Sequence, residues 1–236
     1  MGGILAGLTE AIPYHVGMTW EAVLFDCDGV LVDSEPITNR VLRHMLIEQG
    51  WPISEDECEA LFIGHTVRTR KDLIEAHTGK PFTEEWLQSF YERRNQALRV
   101  ELQPIPGALQ AVRAAHACTG GRIACASGAD RPKVEMQLRM AGMTEWFGPH
   151  VYSGHETPRS KPFPDVYLAA AQALAVDPKR CLVIEDTITG VQAGLAAGAV
   201  VWAYTPEHSR QQLAQSGVAR CFAHMDELRQ ALSLIA

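Results

Sequence analysis

AVLFDCDG, residues 22–29, sets four apolar residues ahead of two carboxylates and a glycine. A short apolar run that stops at a glycine reads as a buried parallel strand ending in a tight loop. Asp26 and Asp28 lie two positions apart, so on extended backbone both side chains project to one side and Cys27 to the other. Carboxylates held this close repel each other unless a cation or a proton intervenes. Taken alone, the pair is equally well read as one aspartate capping a turn beside Gly29.

Runs of the same kind recur at residues 122–127 (RIACAS), 180–186 (RCLVIED) and 199–204 (AVVWAY). Residues 108–118, 132–141, 164–174 and 188–197 between them carry helix-like patterns, and this alternation predicts a parallel sheet covered on both faces. Residues 34–103 break the alternation. Their amphipathic segments at 37–49, 55–62, 71–76 and 84–98 predict a helical insert, whose exit is marked by PIPG at 104–107. The expected fold class is α/β: a Rossmann-like parallel-sheet core of residues 18–33 and 104–236, with an inserted helical cap domain of residues 34–103. The two connecting stretches, 33–36 and 102–107, are expected to act as hinges.

Ligands gather at the carboxyl ends of the strands in such a sheet. There the sequence places Asp26 and Asp28 after the first strand, Ser127 and Gly128 after the second, Glu185 and Asp186 after the third, and Lys161 just ahead of a helix. With the four carboxylates converged, Lys161 leaves about three negative charges uncompensated, and each close pair repels by about 4 kcal/mol at an effective dielectric of about 20. A divalent cation relieves that repulsion. Oxygen donors select a hard ion, and a phosphate completing the shell favours magnesium. Singly, Lys161 reads as a solvated lysine, Ser127 as a turn residue and Asp186 as a helix N-cap; in order behind the first acidic pair, the functional reading prevails.

FDCDGVLVDSE (25–35), CASG (125–128), RSKPFPDVY (159–167) and IEDTITGVQAGLAAG (184–198) together resemble the haloacid dehalogenase superfamily. More closely, they resemble its branch of beta-phosphoglucomutase-like phosphatases with a helical cap after the first strand. The resemblance implies that Asp26 attacks phosphorus and forms an aspartyl-phosphate. Asp28 is implied as general acid and then base, which requires a pKa raised by burial and neighbouring carboxylates. Magnesium would be held by Asp26, the Asp28 carbonyl and Asp186, with Glu185 reached through water. Ser127, Gly128 and Lys161 would bind the phosphate oxygens.

The name-giving dehalogenases fit poorly, because their carbon-centred chemistry does not use the acid that this chain keeps as Asp28. Phosphatase and sugar phosphomutase remain, and in the family a cap loop opening with glycine reads the substrate. Here that loop is GHTVRTRK, residues 64–71, which offers Gly64, His65, Arg68, Arg70 and Lys71. Clustered cations suit a substrate with a second anionic group, such as a sugar acid phosphate; a solvated helix start is the plainer alternative. Arg68 is out of register with the mutase arginine, and the segment after Ser127 lacks the lysine and asparagine of typical mutases. A phosphatase acting on a small phosphorylated sugar or sugar acid is therefore the expected function, a phosphomutase the alternative, and a non-catalytic binding protein on the same fold the reading of another class.

The chain has 236 residues, 47% of them hydrophobic, which is ample for a buried core with a smaller insert. A formal charge of -7 argues against nucleic acid as the main partner. No apolar run approaches the roughly 20 residues that span a bilayer, so no membrane partner is expected. Six scattered cysteines without a CxxC pair read as reduced, buried thiols of a cytoplasmic protein, monomeric or weakly dimeric. Residues 1–17 read as a disordered extension ahead of Met18, a second candidate start. Nothing beyond Pro206 carries recognisable chemistry, and His208, Arg210 and His224 read as surface residues.

Overall fold

The computed structural model describes residues 20–206 and 210–234. The expectations for residues 1–17, Met18 and His208 lie outside them, as does the side chain of Arg210. The described strands are β1 Ala22–Phe25, β2 Val32–Asp33, β3 Gln103–Pro104, β4 Ile123–Ser127, β5 Val151–Ser153, β6 Cys181–Glu185, β7 Val200–Tyr204 and β8 Arg220–Phe222. Six of them form one sheet in the order β5-β4-β1-β6-β7-β8, with every neighbouring pair parallel.

The strands are apolar throughout because both faces are covered. Val23, Phe25, Ile123, Cys125, Leu182 and Ile184 pack into one core with the helices Ala108–Cys118, Arg131–Met140 and Met225–Ser233. Their alternate neighbours Ala22, Leu24, Ala124, Ala126 and Val183 pack into a second core, against the helices Asp165–Ala173 and Ile188–Ala196. Phe25 and Leu24 are both essentially inaccessible, and full burial of such side chains stabilises by about 1.5–3 kcal/mol each. The strand between β4 and β6 in space is β1, paired Phe25 to Cys125 on one side and to Ile184 on the other. That register sets the residues following β1 between the ends of its two neighbours.

β5 and β8, of three residues each, were too short for periodicity to reveal. The two-residue strands β2 and β3 pair antiparallel, Val32 with Pro104 and Asp33 with Gln103, tying together the two crossings between core and cap. Between them lie the helices Glu35–Glu48, Glu55–Phe62, Lys71–Thr78 and Glu84–Glu101. A capping box of Ser54 and Glu57 starts the second. These helices enclose a core of their own, including Leu42, Leu46, Trp51, Cys58, Phe62, Leu87 and Phe90. The loop expected at 64–71 contains a 3-10 turn, Val67–Arg70, with Val67 buried. Cys27, Cys58, Cys125 and Cys181 are buried thiols, and His224 is an exposed helix cap. Among the described residues, no helix is long and apolar enough to cross a membrane.

At Gly194 the helix Ile188–Ala196 comes close to the sheet: a Cβ there would lie 2.8 Å from Val201 Cγ2 and 3.2 Å from Val183 Cγ1. Both neighbours are β-branched and wedged in the core, so neither yields freely. Gly194→Ala is expected to destabilise the fold by about 1–3 kcal/mol, read from the midpoint of urea unfolding. An unchanged midpoint would show that the helix can move off the sheet without cost.

Candidate active site

Asp26 follows β1, and its amide donates to the Ile184 carbonyl of β6 at 3.0 Å. Its side chain is 9% exposed. Lys161 Nζ donates to Asp26 Oδ1 at 2.5 Å and to Glu185 Oε1 at 2.6 Å. The Tyr167 hydroxyl donates to the same Glu185 oxygen at 2.7 Å, while Oε2 accepts from the amides of Asp186 and Thr187 and from the Thr187 hydroxyl. Glu185 is thus a fully satisfied buried carboxylate that fixes Lys161. No side chain fits between it and the following helix, because a Cβ on Gly190 would lie 1.9 Å from the Glu185 carboxylate.

Gly29 meets a similar constraint, with φ at +76° and a would-be Cβ 1.9 Å from Asp186 Oδ2. The turn after β1 and the end of β6 are therefore in contact at the acidic groups themselves. Carboxylate oxygens of Asp26, Glu185 and Asp186 all lie within 4.8 Å of one another. Asp186 Oδ1 is buried and has no hydrogen-bond partner among the described residues. Burial pushes the Asp26 carboxyl up to about 7, with Lys161 opposing and Glu185 and Asp28 adding to the rise. Burial, Glu35, Glu185 and Asp26 push Asp186 well above the usual carboxylate range. An oxygen-only cluster with one orphaned oxygen and too little positive charge fits a hard divalent cation.

Asp28 corrects an expectation. Burial raises its pKa, as its position implies, but Lys133 outweighs that with help from Ser34 and Gln137, and the carboxyl comes down to about 2. Lys133 Nζ donates to Oδ1 at 2.6 Å and Gln137 Nε2 at 2.8 Å, and the Ser34 hydroxyl donates to the same oxygen. Lys133 and Gln137 stand four apart on one face of their helix, and the sequence reading missed both. Their spacing was visible, but nothing in it showed that this face turns toward β1. The two lysines bring the formal excess over the four carboxylates to two negative charges.

A cavity of about 530 Å³ opens between core and cap, lined by Asp26, Asp28, Ser127, Gly128 and Lys161 from the core and by Gly64 and His65 from the cap. Ser127, at the end of β4, is buried, and its Oγ accepts from the Ala129 amide at 3.0 Å. The Thr189 hydroxyl donates to the Gly64 carbonyl at 3.1 Å, joining cap loop to core helix. Burial and Arg70 lower the His65 pKa. The structure does not bring Arg68, Arg70 or Lys71 into the cavity lining. Arg68 is drawn outward by a two-armed ion pair with Glu84, and exposed Lys71 lies 4.0 Å from Glu75. The cap guanidinium that does line the cavity is Arg94, on the helix Glu84–Glu101.

Residues 20–198 match the model of the haloacid dehalogenase-like hydrolases. The chain is 28% identical over 214 residues to 6-phosphogluconate phosphatase of Escherichia coli, covering 88% of this chain and 92% of that protein. It is 34% identical over 185 residues, 75% of its length, to Suppressor of Quenching 1 of Arabidopsis thaliana, of which it spans only 17%. Among solved structures, a haloacid dehalogenase family hydrolase from Deinococcus radiodurans with bound phosphate and sodium is 35% identical, with a TM-score of 0.73 over 92% of this chain and 97% of that one. The chain belongs to the haloacid dehalogenase-like hydrolases, in the phosphatase branch that its motifs resemble.

Proposed function

We propose that the protein is a magnesium-dependent phosphatase that hydrolyses a small sugar phosphate or sugar acid phosphate through an aspartyl-phosphate on Asp26. The observation that carries this reading is the pairing of Asp26 and Asp28 at one cavity, each carboxylate held on its Oδ1 by its own buried lysine. Among the described residues neither Oδ2 accepts a hydrogen bond, so each aspartate keeps one oxygen for chemistry. The relative named for 6-phosphogluconate supports the substrate class.

Asp26 attacks phosphorus as the ester P–O bond breaks, and Asp28, ionised in the resting site, takes the proton carried by the substrate's phosphate monoanion on Oδ2 and passes it to the leaving oxygen. Water then attacks the phosphorus of the aspartyl-phosphate and gives its proton back to Asp28, releasing phosphate and restoring Asp26. Lys161 and the Ser127 hydroxyl stabilise the non-bridging oxygens, where charge accumulates during transfer. A magnesium ion bound by Asp26, the Asp28 carbonyl and Asp186, with Glu185 behind it, would supply the positive charge that lets an anionic nucleophile meet an anionic phosphate. The cap, residues 34–103, closes over the site and excludes water, turning on the β2–β3 pair. A phosphomutase would need a cap cation for its second phosphate; Arg68, the residue nearest that role in sequence, is paired with Glu84, and the cap cation lining the cavity is Arg94.

Phosphate release from a panel of sugar phosphates is expected to require both magnesium and Asp26, vanishing with EDTA and in Asp26→Asn. Silence across the panel, with one sugar phosphate isomer converted to another, would make the protein a mutase. Saturating magnesium is expected to raise the melting temperature of the wild type, by the equivalent of about 2.7 kcal/mol at 100 times the Kd. Asp186→Asn should lose most of that rise; an equal rise in both proteins would place the ion elsewhere. Pro104→Gly, which frees the hinge strand, is expected to raise KM about threefold or more while the melting temperature changes little. An unchanged KM would argue against a hinge at this pair.

A further inference from the structure

Arg94 is the most deeply buried arginine that faces the cavity, its side chain 6% exposed. Its Nη2 donates to Asp130 Oδ2 at 2.9 Å, and Nε and Nη2 both reach Asn95 Oδ1. The guanidinium lies 4.7 Å from the centre of the Tyr91 ring and 5.7 Å from that of Phe90. Stacking and hydrogen bonds together lock the plane of the group.

The pairing with Asp130 is single-armed, one guanidinium nitrogen on one carboxylate oxygen. Arg68 with Glu84, Arg131 with Glu156 and Arg159 with Asp165 each use two nitrogens on two carboxylate oxygens, although all three arginines are far more exposed than Arg94. A buried guanidinium that served only to clasp cap to core would gain most from the two-armed form. Asp130 is instead turned partly to the start of its own helix, where Oδ1 accepts from the Lys133 amide at 3.1 Å. Among the described residues, Arg94 Nη1 donates to nothing. Of the acidic residues lining the cavity, Asp26, Asp28 and Glu35 belong to the nucleophile's end, where Glu35 and Asp28 act on each other. Around Arg94 the wall is formed by Phe90 and Tyr91, with Asp130 as its one acidic partner.

We propose that Arg94 is the specificity-determining residue of this site, and that its free Nη1 binds a carboxylate at the end of the substrate remote from the phosphate, which makes the preferred substrate an aldonic acid phosphate. This rests on the phosphatase reading and narrows it. Asp130 and Asn95 hold the guanidinium in place while the substrate carboxylate completes its hydrogen bonding, so the cap residue that recognises the substrate is also tied to the core.

The test compares an aldonic acid phosphate with the alditol phosphate of the same carbon skeleton, which differs only in carrying CH2OH in place of the carboxylate. Wild type is expected to favour the aldonate about 10-fold or more in kcat/KM, the scale of a charge-assisted hydrogen bond. In Arg94→Met the ratio should fall to about one, and in Arg94→Lys it should lie between. A ratio near one in the wild type, or a preference that survives Arg94→Met, would overturn the proposal and leave Arg94 a clasp between cap and core. Calorimetric titration of both compounds into Asp26→Asn, with and without Arg94→Met, reads the same ratio as binding. Tighter aldonate binding that disappears with Arg94→Met would support the proposal even if no phosphomonoester were hydrolysed, an outcome that would sink the phosphatase reading alone. Equal binding of the two compounds would sink the proposal.

Discussion

Negative charge confined in a buried cleft is the constraint on which the rest of the structure depends. Asp26, Asp28, Glu185 and Asp186 converge at the carboxyl ends of β1 and β6, with two lysines for four carboxylates. A fold meets such repulsion by protonation, by countercharge or by a bound cation, and different parts of this site use different means. Asp28 is neutralised by Lys133 and stays ionised. Asp26 and Glu185 share Lys161, which cannot serve both fully. Asp186 Oδ1 is left without a hydrogen-bond partner among the described residues, and the formal excess of two negative charges is what a divalent ion would remove.

Packing around the cleft follows from the need to bring these groups together. Gly29 and Gly190 stand where any Cβ would collide with the Asp186 or Glu185 carboxylate, so at both positions the placing of an acidic group dictates the residue type by sterics. Tyr167 packs its ring beneath Lys161 and gives its hydroxyl to Glu185, so one core aromatic supports both members of the ion pair. Parallel pairing supplies the remaining order. With β1 between β4 and β6, Ser127, Asp26 and Glu185 come from three adjacent strand ends without any long loop having to position them.

This explains how much could be read from the chain alone. Residues at strand ends were legible, because a buried strand announces itself as an apolar run and the polar residue that terminates it is conspicuous; Asp26, Asp28, Ser127, Glu185 and Asp186 were all found in that way. Lys133, Gln137, Ser34 and Tyr167 were not, since they reach the site from helix faces or turns whose orientation depends on tertiary packing. Missing Lys133 reversed the expected ionisation of Asp28, because burial alone raises a carboxyl pKa and only the unseen countercharge lowers it. The cap shows the same limit. Arg68, Arg70 and Lys71 are prominent in sequence, yet Glu84, at the start of the next helix, draws Arg68 to the surface, while Arg94, lost among the charges of a long helix, turns inward.

Among the described residues, the polar contacts between residues 34–103 and the sheet domain gather at the cavity. Thr189 reaches Gly64, Arg94 reaches Asp130, and Ser34 reaches Asp28 beside the first crossing. The helices of residues 34–103 have a hydrophobic core of their own, but Ile37, Leu98 and Leu102, beside the two crossings, pack into the core on one face of the sheet. An opening that keeps those three side chains seated would fall on the polar groups, which would find water as they separate. Asp130 then links recognition to chemistry: it accepts from Arg94 of the cap and caps the helix that carries Lys133 and Gln137 to Asp28. A displacement of the cap is therefore felt, through one carboxylate and the first turn of one helix, at the group that moves the proton.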